Sequence, residues 1–349
     1  MKATTTALAT LLALVACGGS ESPPAATGAS PPMPSAAPPP VPDVPALPDA
    51  GAAPPVAPSL TDLVADRNKT ALEALNAHDR RKLASTYAEN ATINMFGEDD
   101  ITGRDAIAAE FAQTLMGLPD LKASFSRTWA KNNVEVVEWV ITGAGRAGSK
   151  LTGLVGLSVL TFAPDGLVTS EHRYRDTPTL LKQLGFAKGE VHAVPVPTAT
   201  ESHVARGTPE EDANLASLTK WYDLINGHKA GAFALLADDA TLDDSTADAP
   251  TKGRKEIQRA FGRTWKAFPD MVEEPAVSFA VEDFTVSEVA IRGTQKGALG
   301  PLKPSKKAMT IHQADIVQWK DGKMVHAWVY GNAKEMFDQL SAGAGAGKK

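Results

Sequence analysis

Residues 60–349 carry one ordered set of short motifs twice. Asn76-Ala77-His78 recurs as Asn226-Gly227-His228. Gly103-Arg104 with Ile107 recurs as Gly253-Arg254 with Ile257, Phe111 as Phe261, and Leu118-Pro119-Asp120 as Phe268-Pro269-Asp270, each pair 150 residues apart. After six extra residues around Pro301-Leu302-Lys303-Pro304 the offset becomes 156, and Asp165-Gly166 and Gln183-Leu184 meet Asp321-Gly322 and Gln339-Leu340. Order preserved over that length marks a tandem repeat. The chain must therefore fold as two copies of one domain of about 130 residues, an ordinary domain size. The copies are expected at 60–190 and 210–341. Between them, 191–209 is a linker broken by Val194-Pro195-Val196-Pro197 and Gly207-Thr208-Pro209, and a small Gly/Ala tail, 342–349, ends the chain.

Each copy reads as helices first and strands after. Helical apolar spacing predicts a helix over Asp66–Ala77 (Leu72, Leu75) and over Glu211–Ile225 (Leu215, Leu218, Tyr222, Ile225). Shorter helices are predicted over Arg81–Tyr87 and Ala230–Leu236, a strand near Ala91–Met95, and further helices over Arg104–Leu115 and Arg254–Ala267. The β-branched runs Val134–Ile141, Gly153–Phe162 and Leu167–Tyr174 read as strands, with Asp165-Gly166 and Asp321-Gly322 as hairpin turns. Helices segregated from antiparallel strands make an α+β domain.

Four features occur together: the first helix ending in Asn-x-His, the Gly-Arg-x-x-Ile helix, Leu/Phe-Pro-Asp before the sheet, and the closing run from Glu171-His172-Arg173-Tyr174-Arg175-Asp176 to Leu180-Leu181-Lys182-Gln183-Leu184-Gly185. Together they resemble the SnoaL-like polyketide cyclase family of the nuclear-transport-factor-2-like fold, and the resemblance covers both copies nearly end to end. It implies two tandem cones, each a curved antiparallel sheet packed on about three helices around an apolar cavity. It also implies cofactor-independent, metal-free acid/base chemistry by an aspartate on a late strand, which by motif position is Asp176.

The residues can be weighed on their own. Period two puts Ser170, His172, Tyr174 and Asp176 on one face of the last strand. A carboxylate facing an apolar pocket has its pKa raised and can take a proton from carbon next to a carbonyl. His172 can polarise that carbonyl or shuttle the proton. Asp176 equally suits the N-cap of the Thr177–Leu184 helix, with Pro178 in its first turn. Tyr174 and Trp139 are candidate ligand contacts in the first copy. His78 and His228 read as hydrogen-bonders at helix ends. The second copy has Asn332 for Asp176 and Trp328 for His172, and asparagine is no base at neutral pH. It offers His312, Asp315, His326, Trp328, Tyr330 and Asn332 as a binding wall, with His312 and Asp315 also readable as surface strand residues. Any chemistry is expected in the first copy.

Ahead of the repeat, Lys2 and the apolar run Ala7–Ala16 have the length and charge of a signal peptide. The run ends in Leu14-Val15-Ala16-Cys17, which resembles the lipobox of bacterial lipoproteins. That resemblance implies cleavage after residue 16, a lipid on Cys17 and attachment to the bacterial cell envelope. Gly18, in place of a retention aspartate, points to the outer membrane. Residues 17–59 are Pro, Ala, Ser and Gly with almost no charge, too poor in apolar groups to pack. As polyproline II they make a tether of up to roughly 100 Å.

A net charge of −6 with no basic run argues against nucleic acid. Seven scattered histidines form no metal motif, and there is no phosphate-binding glycine loop. The expected protein is a lipid-anchored binder of a small apolar molecule, with a cyclase- or isomerase-like first domain as the alternative. The two sheets are expected to pair within the chain as a pseudo-dimer.

Overall fold

The computed structural model describes residues 60–145, 150–185, 187–188, 194–247, 249–299 and 302–341. The expected signal peptide, Cys17, the tether and the tail lie outside them.

In the first copy α1 (Leu60–Ala77) and α2 (Arg80–Ala84) lead into β1 (Tyr87–Asn94) and the short β2 (Ile101–Thr102). Then come α3 (Arg104–Gly117), β3 (Lys122–Lys131), β4 (Val134–Ala144), β5 (Lys150–Phe162), β6 (Val168–Arg175) and α4 (Thr177–Gln183). The second copy repeats the order. It has α5 (Pro209–Asn226), a 3₁₀ helix (Ala230–Leu235), β8 (Leu236–Asp244), β9 (Thr251–Lys252), α6 (Arg254–Ala267), β10 (Val272–Val281), β11 (Phe284–Thr294), β12 (Ala308–Lys320), β13 (Lys323–Gly331) and α7 (Ala333–Ser341). Tyr87, read as the end of a helix, opens β1 instead, because Ser85 already closes α2.

The strands of each copy pair antiparallel except where the first long strand meets the last: β1 lies parallel to β6, and β8 to β13. The linker also contributes. Glu201–Val204 forms β7, parallel to β3, so the first sheet has seven strands and the second six.

The repeated motifs are clamps that hold helices to sheet. Asn76 Nδ2 donates to the Ala123 carbonyl at 3.0 Å and its Oδ1 accepts from Ala123 N at 2.9 Å, and Asn226 does the same for Glu273. His78 and His228 bond the Leu121 and Met271 carbonyls. Gly103 and Gly253 hold φ of 91° and 86°, open to glycine at little cost. Each lets the next arginine, Arg104 or Arg254, grip the Tyr87 or Leu236 carbonyl with two N–H groups. Asp120 and Asp270 accept from Ala144 N and Thr294 N. Gln183 and Gln339 accept from Thr152 N and Thr310 N.

Residues 60–341 belong to one compact unit, with the two sheets packed face to face. The layer between them holds Trp129, Val136, Leu157 and Tyr174 from the first and Phe279, Phe284, Ile316 and Tyr330 from the second. Central strands such as β4 and β11 are thus buried on both sides, against their own helices and against the other domain. This is the intramolecular pairing expected of the tandem copies.

Candidate functional site

The interior of the first cone carries a network of paired charges. Glu171 and Arg173, on the helix-facing side of β6, pair through Arg173 Nε and Nη2 at 2.8 and 3.1 Å. Tyr87 OH and Ser158 Oγ both donate to Glu171, at 2.6 and 2.7 Å, Trp139 Nε1 donates to Ser158 at 3.1 Å, and Arg173 also reaches Glu110 at 3.6 Å. Burial alone would raise the Glu171 pKa, but Arg173, Tyr87 and Ser158 outweigh it and hold the carboxyl below its ordinary value. Trp139 lies across Gly156, where any Cβ would strike the indole at 2.1 Å. Nearby, Glu135 takes both its bonds from Asn68 Nδ2, at 2.9 and 2.8 Å. Burial, partly offset by those bonds, pushes it to about 7.

The second cone is built differently. A cavity of about 60 Å³ lies between α5, α6 and the sheet. Its wall is apolar and aromatic, with Leu218, Trp221, Ile257, Phe261, Val317 and Val329. Four polar side chains from the sheet, Thr241 of β8, Glu273 of β10, and Gln313 and Asp315 of β12, also line it. Gln313 Nε2 donates to both Asp315 oxygens at 2.9 and 3.1 Å, and Tyr222 OH approaches Asp315 at 3.5 Å while bonding Ser287 Oγ at 2.7 Å. Burial pushes Asp315 to about 7, and burial plus the charge of Asp315 pushes Glu273 to about 8. Among the described residues no Lys, Arg or His lines this cavity, and no group of three or more His, Cys, Asp or Glu could hold a metal.

A family model described as SnoaL-like polyketide cyclase matches residues 216–340, and one described as SnoaL-like domain matches residues 69–171. The chain carries two SnoaL-like domains. IdmH of Streptomyces antibioticus is 20% identical over 37% of this chain and 99% of its own length, with a TM-score of 0.34. AclR of Streptomyces galilaeus is 19% identical over 38% and 97%, at 0.35. An LEH-like epoxide hydrolase of M. tuberculosis is 12% identical over 39% and 95%, at 0.33. No curated protein sequence matches the chain.

Within these SnoaL-like domains the expected site residues do not assemble. Asp176, 1% exposed, caps α4 by accepting from Thr179 N at 2.8 Å. His172 and Tyr174 share a face, as period two predicts, but that face looks into the layer between the domains, where both bond Glu288, at 2.8 and 2.9 Å. Tyr330 makes the mirror contact, donating to Glu138, which Arg127 also holds at 2.9 and 2.6 Å. Trp328 lies under Arg127, whose guanidinium carbon is 4.0 Å from the ring centre. Asn332 ties the domains together by donating to the Met95 and Arg173 carbonyls and accepting from Arg175 N. His312 bonds Glu335 of α7 at 2.8 Å and stacks on Phe96 of the other domain at 4.2 Å. His326 stacks on Trp328 at 3.8 Å. Of the expected ligand contacts only Trp139 faces its own cone, and Asp315, also readable as a surface residue, lines the second.

The physical reason is that a strand buried on both sides has no solvent face for alternation to reveal. Period two grouped His172 and Tyr174 with Asp176 as a candidate cavity face, whereas Glu171 and Arg173 point inward. Glu171, Arg173, Tyr87, Ser158, Glu273 and Gln313 were not singled out from sequence. One signal was present: isolated carboxyls inside β runs, as in Ala314-Asp315-Ile316-Val317.

Proposed function

We propose that the second SnoaL-like domain is the binding domain of an exported, lipid-anchored protein. It would take a very small, mostly apolar molecule whose one polar group meets Asp315 and Glu273. The observation that carries this reading is the cavity itself, which is apolar with its carboxyls on one side. Pockets for drug-sized ligands run to about 300–1,000 Å³. A water needs about 10–15 Å³ of such space, so 60 Å³ holds about four or five non-hydrogen atoms. A folded polyketide is far larger. Export and anchoring rest on Lys2, the Ala7–Ala16 run and the Leu14-Val15-Ala16-Cys17 tetrapeptide. Among the described residues no helix is long and apolar enough to cross a membrane.

Ligand-observed NMR with a panel of molecules of up to five heavy atoms tests the cavity. Saturation transfer should appear with the wild-type chain and vanish in Ala327→Leu, which fills the cavity wall. Equal signals in both would sink the reading. For the anchor, Cys17→Ser should move the protein from the membrane fraction to the soluble one.

A second reading is favoured by the near-neutral pKa of Asp315: proton transfer next to a carbonyl. Acetone fits the space. Its methyl protons should exchange into D2O faster with the wild type than with Asp315→Asn.

A further inference from the structure

The two domains differ at one pair of equivalent positions in a way that specifies the charge of the ligand. Arg173 sits opposite Ser158 across the β5–β6 ladder, and Val329 sits opposite Asp315 across β12–β13. These are the same places in the two sheets. In the first cone the interior carboxyl, Glu171, carries its own cation, because Arg173 bonds it twice. In the second cone the carboxyl has moved one strand across, to Asp315, and the arginine position is Val329, which lines the cavity. The guanidinium is replaced by empty space beside two carboxyls.

Among the described residues no cation lines the second cone's cavity beside these carboxyls. Asp315 has neutral donors only, Gln313 and Tyr222. Glu273 is 6% exposed and lines the cavity, and among the described residues no side chain donates to its carboxyl. Buried carboxyls are normally paired, and an unpaired one is costly. Tyr222, Trp221 and Phe261 also line the cavity, and aromatic rings attract a cation over a neutral group.

We propose that the second cone takes a small organic cation, an alkylammonium whose N–H groups reach Asp315 and Glu273 in the place Arg173 fills next door, and whose alkyl groups pack on Trp221, Phe261 and Val329. The proposal rests on the reading of this cone as a binding site and adds the sign of the ligand's charge.

Isopropylammonium and 2-propanol have the same size and differ in charge, so they separate the two ideas. Each is titrated into the full chain and followed by saturation-transfer NMR and calorimetry. Isopropylammonium is expected to bind at least tenfold more tightly than 2-propanol. Glu273→Gln should weaken it at least tenfold. Val329→Arg should abolish it by restoring an internal cation, and Glu273→Gln keeps the test valid if that variant does not fold. If 2-propanol binds as well as isopropylammonium and both are blocked by Ala327→Leu, the cone is a binding site and the cation proposal is overturned. If neither binds, both readings fall.

Discussion

Arg173 in the first domain and Val329 in the second occupy one place in the fold, yet the interiors around them have opposite characters. In the first cone Glu171, Arg173, Glu110, Tyr87 and Ser158 satisfy one another. In the second, aromatic and aliphatic walls enclose a cavity with Glu273 and Asp315 at one side. The clamps that build the two cones use matching residues, from Asn76 and Asn226 to Gln183 and Gln339. One scaffold can thus be filled for stability or left open at a cost in stability. The difference lies in a few inward residues, not in the motifs that define the family.

The largest test of that contrast is Arg173→Met. It leaves Glu171 and Glu110 without their cation, and breaking such a buried pair costs about 3–5 kcal/mol. Urea unfolding should show it, while Val329→Thr should cost about 1 kcal/mol. Similar costs for the two would mean that the first network does not hold its cone together.

Next comes the pH dependence of the open cone. Folding raises the pKa of Glu273 to about 8 and of Asp315 to about 7, with Asp244 and Tyr222 alongside. A raised folded pKa gives stability that is complete below the unfolded value near 4 and is lost as pH rises through the folded one. Stability should therefore fall between about pH 4 and pH 8. Glu273→Gln should flatten that fall and exceed the wild type at pH 8.5 by on the order of 2 kcal/mol. Glu135 in the first cone keeps a residual slope, since it titrates at about 7. An unchanged slope in Glu273→Gln would remove this carboxyl from the account.

The layer between the domains gives a finer comparison. Glu138 has Arg127 and Tyr330, whereas Glu288 has His172 and Tyr174. Tyr330→Phe and Tyr174→Phe should each cost about 1–2 kcal/mol at pH 6. The hydrogen bond to Glu288 raises the His172 pKa, with burial opposing it. The charge it lends is present below about 6.5 and lost as pH rises through the folded value. His172 is 39% exposed, so solvent screening limits its share to about 0.5–1 kcal/mol. Tyr174→Phe should therefore cost more at pH 9 than at pH 6, and Tyr330→Phe should not. Equal pH trends would show that Glu288 does not depend on His172.

The smallest effect is expected at Asp176. Asparagine caps a helix as well as aspartate, so Asp176→Asn should shift stability by a few tenths of a kcal/mol and Asp176→Ala by about 1. Thermal unfolding distinguishes them. Complete loss of an assayed activity in Asp176→Asn with folding intact would return the chemistry to that residue.

Much of the fold is legible in the chain because its signals are local. The repeat sets the number of domains. Helical spacing places α1 and α5, and glycine before arginine starts α3 and α6 at the residues expected. Asp321-Gly322 turns with φ of 51° and 69°, both positive as a two-residue hairpin needs. The site is far less legible. Asp315 and Glu273 meet only because β10 and β12 are both neighbours of β11, and no spacing along the chain encodes that.

What the sequence determined by itself was the duplication, the order of helices and strands, the clamping motifs and the family. Each is written in residues that act on near neighbours or on a copy at fixed offset. Tertiary structure alone decided which face of each strand looks inward. Two sheets packed on each other bury both faces, and alternation then carries no label for inside. It also decided that Glu273 and Asp315 face one cavity with no Lys, Arg or His among the described residues lining it, because residues on β10 and β12 meet only across the sheet.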